Sequence, residues 1–231
     1  MLKIVALTGA GISAESGIQT FRDQDGLWEG HDVQKVATPQ GWQLNPSLVL
    51  KFYNDRRRQL KEVLPNDAHI ALADLEQHFD VHVVTQNVDD LHERGGSSRV
   101  IHLHGELLKV RSLGHDQTPL PWTEDIGLGD LCDQGFQLRP HIVWFGEEVP
   151  MLGVAARLIS EADIVIIVGT SMMVYPAASL VGYAPEYAKV YYINPDKVSS
   201  EEFKYIKNFK YIQENATTGL KKLATELKAL L

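Results

Sequence analysis

Five short apolar runs punctuate the chain: Lys3 to Leu7, Val81 to Thr85, Val100 to Leu103, Ile164 to Val168 and Val190 to Ile193. Each is rich in β-branched residues and only four or five residues long, the signature of strands buried on both faces of a parallel sheet. Helical patterns separate most of them. Asn45 as N-cap with Pro46 in the first turn opens one helix, Asn66 opens another, and Leu220, Leu223, Leu227 and Leu230 mark an amphipathic C-terminal one. The alternation predicts an α/β fold with an open parallel sheet. The stretch from about Arg111 to Leu138 breaks the rhythm, because Gly114, Pro119, Pro121, Gly127, Gly129 and Gly135 interrupt isolated hydrophobes. It reads as a small insertion module.

Every run ends in a polar cluster: Thr8-Gly9-Ala10-Gly11, Gln86-Asn87-Val88-Asp89, His104-Gly105-Glu106, Gly169-Thr170-Ser171 and Asn194-Pro195-Asp196. In an open α/β sheet, ligands bind beyond the carboxyl ends of the strands, so these five clusters point to one shared site. Gly9-Ala10-Gly11-Ile12-Ser13-Ala14 fits the dinucleotide-binding pattern, in which glycines allow a tight turn and bring backbone amides to a pyrophosphate. An acidic ribose ligand after the second strand is not evident, and Asn194 or Asp196 is placed to take that role.

Composition narrows the class. With 231 residues and 44% hydrophobic content, the chain suits one well-buried domain with a small insertion. A formal charge of −8 disfavours a nucleic-acid surface. A single cysteine, Cys132, forms no internal disulfide and builds no metal site by itself. Without an apolar run of membrane-spanning length or a signal-peptide core, the expected protein is cytoplasmic, with no membrane partner, and monomeric.

The longer string Gly9-Ala10-Gly11-Ile12-Ser13-Ala14-Glu15-Ser16-Gly17-Ile18, followed by Phe21-Arg22-Asp23, resembles the NAD-binding signature of the sirtuin family. The likeness continues through Thr85 to His92, His102-Leu103-His104-Gly105-Glu106, Arg139 to Glu147, and Gly169-Thr170-Ser171 with Val174 and Pro176. It covers about Lys3 to Asp196. The resemblance implies a Rossmann-like core over about 1–30, 80–110 and 139–231, a helical substrate-side insertion over about 31–79, and the small module over about 111–138.

Sirtuins cleave nicotinamide from NAD with the acyl oxygen of a modified lysine, giving an alkylimidate at the ribose, and then release free lysine and an O-acyl-ADP-ribose. The resemblance makes His104 the base and NAD the cofactor, with acyl-lysine proteins as partners; an imidazole pKa near 6.5 suits that task. Asn87 and Asp89, with Gln86 and Val88, match positions at the ribose and the nicotinamide carboxamide. Gly9, Ala10, Gly11, Ser13, Glu15, Ile18, Phe21, Arg22 and Trp28 belong to the cofactor loop. Gly169, Thr170 and Ser171 match the phosphate and adenosine side, Asn194, Pro195 and Asp196 the adenosine ribose, and Ala216 the adenine. Val143, Phe145, Gly146 and Glu147, with Val174, resemble the strand and loop that sandwich a substrate peptide by main-chain pairing. His102 and His92 are expected to be structural or solvated.

Two features are particular to this chain. Val49, Tyr53, Arg56 and Leu60, spaced by four, three and four, share one helix face. Within the basic run Arg56-Arg57-Arg58, an arginine can snorkel to water; yet Tyr53-x-x-Arg56 resembles the pair of the sirtuin class that accepts succinyl and malonyl groups, and a phenol with a guanidinium suits a distal carboxylate. In the module, sirtuins commonly carry two Cys-x-x-Cys pairs on a structural zinc. Here the corresponding residues are Ser112, His115, Cys132 and Gly135, so the fold is expected to hold no zinc, and Leu113, Leu120, Trp122, Ile126, Leu128, Leu131 and Phe136 are expected to hold the module as a hydrophobic cluster. ADP-ribosyl transfer, NAD hydrolysis and a non-enzymatic NAD sensor are the competing readings. Retention of Tyr53, Arg56 and the Phe145-Gly146-Glu147 strand speaks against the first two, and retention of His104 and the Asn87–Asp89 pair against the third. Hydride transfer has no support beyond the glycine loop, and a zinc peptidase fails because His92-Glu93 lacks the second histidine.

Overall fold

The computed structural model describes residues 1–18, 27–28, 30–171, 175, 177–196 and 203–230. Strand β1 (Lys3–Thr8) is followed by the short helix α1 (Gly11–Ala14), a two-residue-wide hairpin of β2 (Leu27–Trp28) and β3 (His31–Asp32), and the helices α2 (Val33–Val36), α3 (Pro39–Leu44) and α4 (Pro46–Glu62). Helix α5 (Asp67–Leu75) then leads to β4 (Asp80–Thr85), α6 (Leu91–Arg94) and β5 (Val100–His102). Next come β6 (Gly105–Ser112), β7 (Leu120–Pro121) and β8 (Leu138–Ile142). The chain continues through α7 (Leu152–Ser160), β9 (Ile164–Val168), a 3-10 helix over Ala177–Tyr183, β10 (Lys189–Ile193), β11 (Phe209–Ile212) and α8 (Ala216–Lys228).

Six of these strands form one parallel sheet in the order β11-β10-β9-β1-β4-β5. Numbered among themselves in chain order and read from β5, they run 3-2-1-4-5-6, the order of the dinucleotide-binding fold, with the reversal between β1 and β9. The apolar runs are continuous because both faces of the sheet are covered. Ile4, Ala6, Ile164, Ile166 and Val168 face α5 and α8, whereas Val5, Leu7, Val165 and Ile167 face α7 and the 3-10 helix. Edge strand β11 lacks this signature: of its four residues none is fully buried and Lys210 is exposed, so its pattern does not stand out in the sequence.

The cap residues act as their positions require. Asn45 Oδ1 accepts from the Leu48 amide at 3.0 Å with Pro46 in the first turn, and Asn66 caps α5 with His69 completing a capping box. Of the elements within 31–79, α5 packs on the sheet beside α8, whereas α2 to α4 pack in a separate core. Helix α8 ends at Lys228, and Leu230, expected on its apolar face, is exposed.

A second core joins α2, α3 and α4 to an antiparallel sheet of order β7-β6-β8. The module between β6 and β8 is not the hydrophobic cluster expected. Ile126 is buried, but Leu113, Leu120, Leu128, Leu131 and Phe136 are 42–59% exposed. A polar clasp to α4 anchors the module instead. Asn54 donates from Nδ2 to the Ile126 carbonyl at 2.9 Å and accepts from the Ile126 amide at 2.9 Å, as a strand partner would. Arg57, fully buried, donates to Asn54 Oδ1 at 2.8 Å and to the Leu107 carbonyl at 3.1 Å. Arg58 pairs with Asp125 at 3.3 Å across the same seam.

Candidate active site

The carboxyl ends of β1 and β9 meet so closely that neither has room for a side chain. The Gly11 amide donates to the Gly169 carbonyl at 2.7 Å, and a Cβ on Gly169, whose φ is +68°, would lie 2.2 Å from the Ile12 nitrogen. This backbone contact across the sheet's reversal point opens a crevice beside it. The resulting cavity, about 1050 Å³, brings together Gly9, Ala10, Gly11, Ser13, Glu15, Ile18, Trp28, Gln86, Asn87, Val88, Asp89 and His104. It also takes in Val143, Phe145, Gly146, Glu147, Gly169, Thr170, Ser171, Asn194, Pro195, Asp196 and Ala216. Phe21, Arg22, Asp23, Val174 and Pro176 lie outside the described residues.

At its centre a hydrogen-bond chain runs between loops. Asn87 Nδ2 donates to the Gly9 carbonyl at 3.2 Å and to Ser13 Oγ at 3.1 Å, and Ser13 Oγ donates to Asp89 Oδ2 at 3.0 Å. Burial pushes the Asp89 carboxyl up, against the pull of the Leu91 amide, Ser13 and His102. His104 places Nδ1 3.0 Å from the Gln86 carbonyl. A carbonyl only accepts, so the proton sits on Nδ1 and Nε2 keeps its lone pair. Burial lowers the His104 pKa below its ordinary value, opposed by the Gln86 contact, and the ring is therefore a neutral base at pH 7.

Glu15 accepts from the Thr217 amide and hydroxyl at 3.1 and 2.8 Å, tying the glycine loop to the start of α8 beside Ala216. Asn194 Nδ2 donates to Tyr192 Oη at 2.8 Å, while its Oδ1 accepts from the Asp196 amide.

Helix α4 contributes a side chamber of about 40 Å³, lined by Arg56, Gln59, Leu60 and Leu107 and sharing Tyr53, Ile18, Trp28, Val88 and Asp89 with the main cavity. Arg56 is half-buried, its guanidinium 4.8 Å from the Phe52 ring centre. The fully buried member of the arginine run is Arg57, one residue on, which faces the module.

Val143 to Glu147 departs from the expected strand. Strand β8 ends at Ile142, and the following residues bend into a turn with Gly146 at φ +88°. The Val143 amide donates to the His104 carbonyl at 2.9 Å and the Phe145 amide to the Ala37 carbonyl at 3.0 Å. The Glu147 carboxylate points back into the protein, where it accepts from Arg139 at 2.7 Å, Arg111 at 3.0 Å and the Trp144 amide at 2.8 Å. Trp144, Tyr175 and Asn215 line the cavity without having been singled out in the sequence. Only Trp144 lay inside a motif, and that membership was the available signal.

Residues 9–176 match the family model described as the Sir2 family. The chain belongs to the Sir2 family. It is 55% identical over 227 residues to an "NAD-dependent protein deacylase" of Helicobacter pylori (strain J99 / ATCC 700824), covering 98% of this chain and 96% of that one. A protein of the same description from Bacteroides thetaiotaomicron is 50% identical, with 100% and 98% covered. Among solved structures, a Sir2 homolog–NAD complex superposes with a TM-score of 0.86 at 39% identity, covering 99% of this chain and 90% of the other.

Within this family the small module is the place for a zinc, and the donor set here does not fit one. Ser112 Oγ and Cys132 Sγ are hydrogen-bonded at 3.2 Å, His115 is exposed, and Gly135 has no side chain to offer. No group of three or more His, Cys, Asp or Glu suited to a metal occurs among the described residues. A tetrahedral structural site needs four such ligands.

Proposed function

We propose that this Sir2-family chain removes acyl groups from protein lysines in an NAD-dependent reaction, with His104 as the base. The observation that carries the reading is the convergence on one cavity of a neutral His104 Nε2, the Asn87–Ser13–Asp89 chain and the paired glycine loops. The cavity's size and its mixture of backbone amides, an amide side chain and a buried carboxylate fit a dinucleotide with an amide-bearing ring.

Gly9 to Gly11 and Gly169 to Ser171 hold the phosphates, Asn194 to Asp196 the adenosine ribose, Ala216 the adenine, and Asn87 with Asp89 the nicotinamide side. NAD, when bound, supplies a ribose carbon activated by its nicotinamide leaving group, toward which the acyl oxygen of the substrate is directed. The protein's own residues do the rest. His104 Nε2 accepts a proton from a ribose hydroxyl, and the Gln86 carbonyl holds the ring in the tautomer that leaves Nε2 free. The Val143 to Gly146 turn offers backbone to the peptide flanking the lysine, so selectivity for flanking side chains is loose.

The side chamber directs acyl choice toward groups ending in a carboxylate, such as succinyl and malonyl. Tyr53 and Arg56 both line it, and a phenol with a guanidinium is the donor chemistry that suits an acceptor-only carboxylate. Acetyl-, malonyl- and succinyl-lysine peptides incubated with and without NAD, with products read by mass, test the proposal. The expected products are free lysine, nicotinamide and O-acyl-ADP-ribose only when NAD is present; acyl release without NAD would overturn it.

A further inference from the structure

His102 and His104 are two residues apart, and their Nδ1 atoms meet the carbonyls of two consecutive residues, Asn87 at 2.9 Å and Gln86 at 3.0 Å. Their Nε2 atoms differ. That of His104 has no partner among the described residues, whereas that of His102 lies 2.8 Å from Glu93 Oε1. A carbonyl and a carboxylate are both acceptors only, so His102 satisfies both contacts only with a proton on each nitrogen. We propose that His102, held as an imidazolium between Asn87 and Glu93, is a positioning residue that fixes the Asn87 loop for catalysis.

The charges around the ring support this state. Burial alone would lower the His102 pKa, but Glu93, the Asn87 carbonyl and Glu106 outweigh it and raise the value above the ordinary one. Burial likewise pulls Glu93 upward, yet the His102 contact holds its carboxyl below the usual range. Asp89 faces the same charge, which favours its ionised form. His92, fully buried on α6, is kept neutral by burial and by its two neighbouring histidines, His69 and His102. Lys109 is paired with Glu106 at 2.7 Å.

A sharp consequence concerns high pH. When His102 loses one proton, the charged carboxylate is the stronger acceptor and keeps the remaining one on Nε2. Nδ1 then presents a lone pair to the Asn87 carbonyl, and the loop that aims Asn87 Nδ2 at Gly9 and Ser13 loosens. Turnover therefore falls on the alkaline side, and removing the competing carboxylate suppresses that fall, because the single proton then stays on Nδ1.

The inference relies on the deacylase reading only for its kinetic arm. In the first arm, ¹⁵N NMR of the histidine rings in the whole protein at pH 7.5 is expected to show His102, identified by its loss in His102→Leu, protonated on both nitrogens; a singly protonated ring overturns the proposal. In the second, His102→Leu is expected to lower kcat about tenfold, the scale of one lost charge-assisted contact, with peptide KM unchanged. A variant that melts like the parent and keeps full kcat overturns it. Should His102→Leu fail to fold, Glu93→Leu decides: a flattened alkaline limb of kcat supports the proposal, and an unchanged limb overturns it.

Discussion

The indole Nε1–H of Trp144 donates to the phenol oxygen of Tyr53 at 3.0 Å, and both rings are buried. An indole nitrogen only donates, so Tyr53 accepts there and its own hydrogen is left to point elsewhere. Burial pushes the Tyr53 phenol far above its ordinary pKa, which keeps that hydrogen in place. Trp144 is itself clamped, with the Arg139 guanidinium 3.2 Å from its ring centre and Arg139 bound to Glu147. The Arg139–Glu147 network thus reaches, through Trp144, the phenol that lines the side chamber.

Arg56→Met is expected to cost about 1.5–3 kcal/mol in transition-state binding of succinyl-lysine, the range for a hydrogen bond to a charged group. Tyr53→Phe should show a smaller loss in the same direction. Acetyl-lysine should be affected less by both. Steady-state kcat/KM on paired peptides checks this, and equal losses on the two substrates would assign both residues to structure.

His104→Ala should lower turnover by roughly 10²–10⁴ while NAD binding, measured by calorimetry, persists. Since burial depresses the His104 pKa, the base is already deprotonated at neutral pH. The acid limb of kcat/KM is then expected below pH 6.5, and a limb above 7 would point to another base.

Asn54→Ala removes both hydrogen bonds to Ile126 and the acceptor of buried Arg57. Leaving these buried groups unsatisfied should destabilise the fold by about 2–4 kcal/mol. Denaturant titration reads this directly; a loss below about 0.5 kcal/mol would mean that the clasp does not anchor the module.

Protein purified without added zinc should contain no stoichiometric metal, and excess chelator should leave its melting temperature unchanged. Ser112 and Cys132 already satisfy each other, whereas a zinc worth about 10–16 kcal/mol in small modules is held by four committed ligands. One zinc per chain by metal analysis would refute this.

Acid should unfold the protein early. Burial lowers the pKa of His69 to about 4, its buried ring packed 4.9 Å from that of His92. An unfolded histidine binds its proton near 6.5 and the folded one does not, so the stability held above pH 6.5 is lost as the pH falls from there toward 4. Melting temperatures across that range check it, and a His69→Gln variant should show a shallower decline.

Periodicity made the sheet legible. All five apolar runs are strands in the central parallel sheet, where burial on both faces of the inner strands keeps most positions apolar. The polar clusters after them gather in one cavity for the same topological reason. What escaped the sequence depended on contacts between distant segments. Arg57 is indistinguishable from Arg56 and Arg58 in a basic run, and only the arrival of Ile126 and Leu107 buries it. The module's leucines had the composition of a core, yet the 25 residues between β6 and β8 are too few to enclose one without help. Likewise the two strand-end histidines differ only through Glu93, which a short helix brings to one and not to the other.

Helix α4 carries two fittings on one rod. Tyr53 and Arg56 look into the side chamber, while Asn54 and Arg57, each one residue on, grip the module. Seventeen residues of uninterrupted helix allow little play between them. Any sequence drift that reseats the module must therefore also rotate Tyr53 and Arg56, the pair proposed to face the acyl group. Transplanting Tyr53 and Arg56 alone into a zinc-bearing relative would move the proposed reader of the acyl group without the bearing on which it turns, so the unit to exchange is the helix together with its partner segment around Ile126.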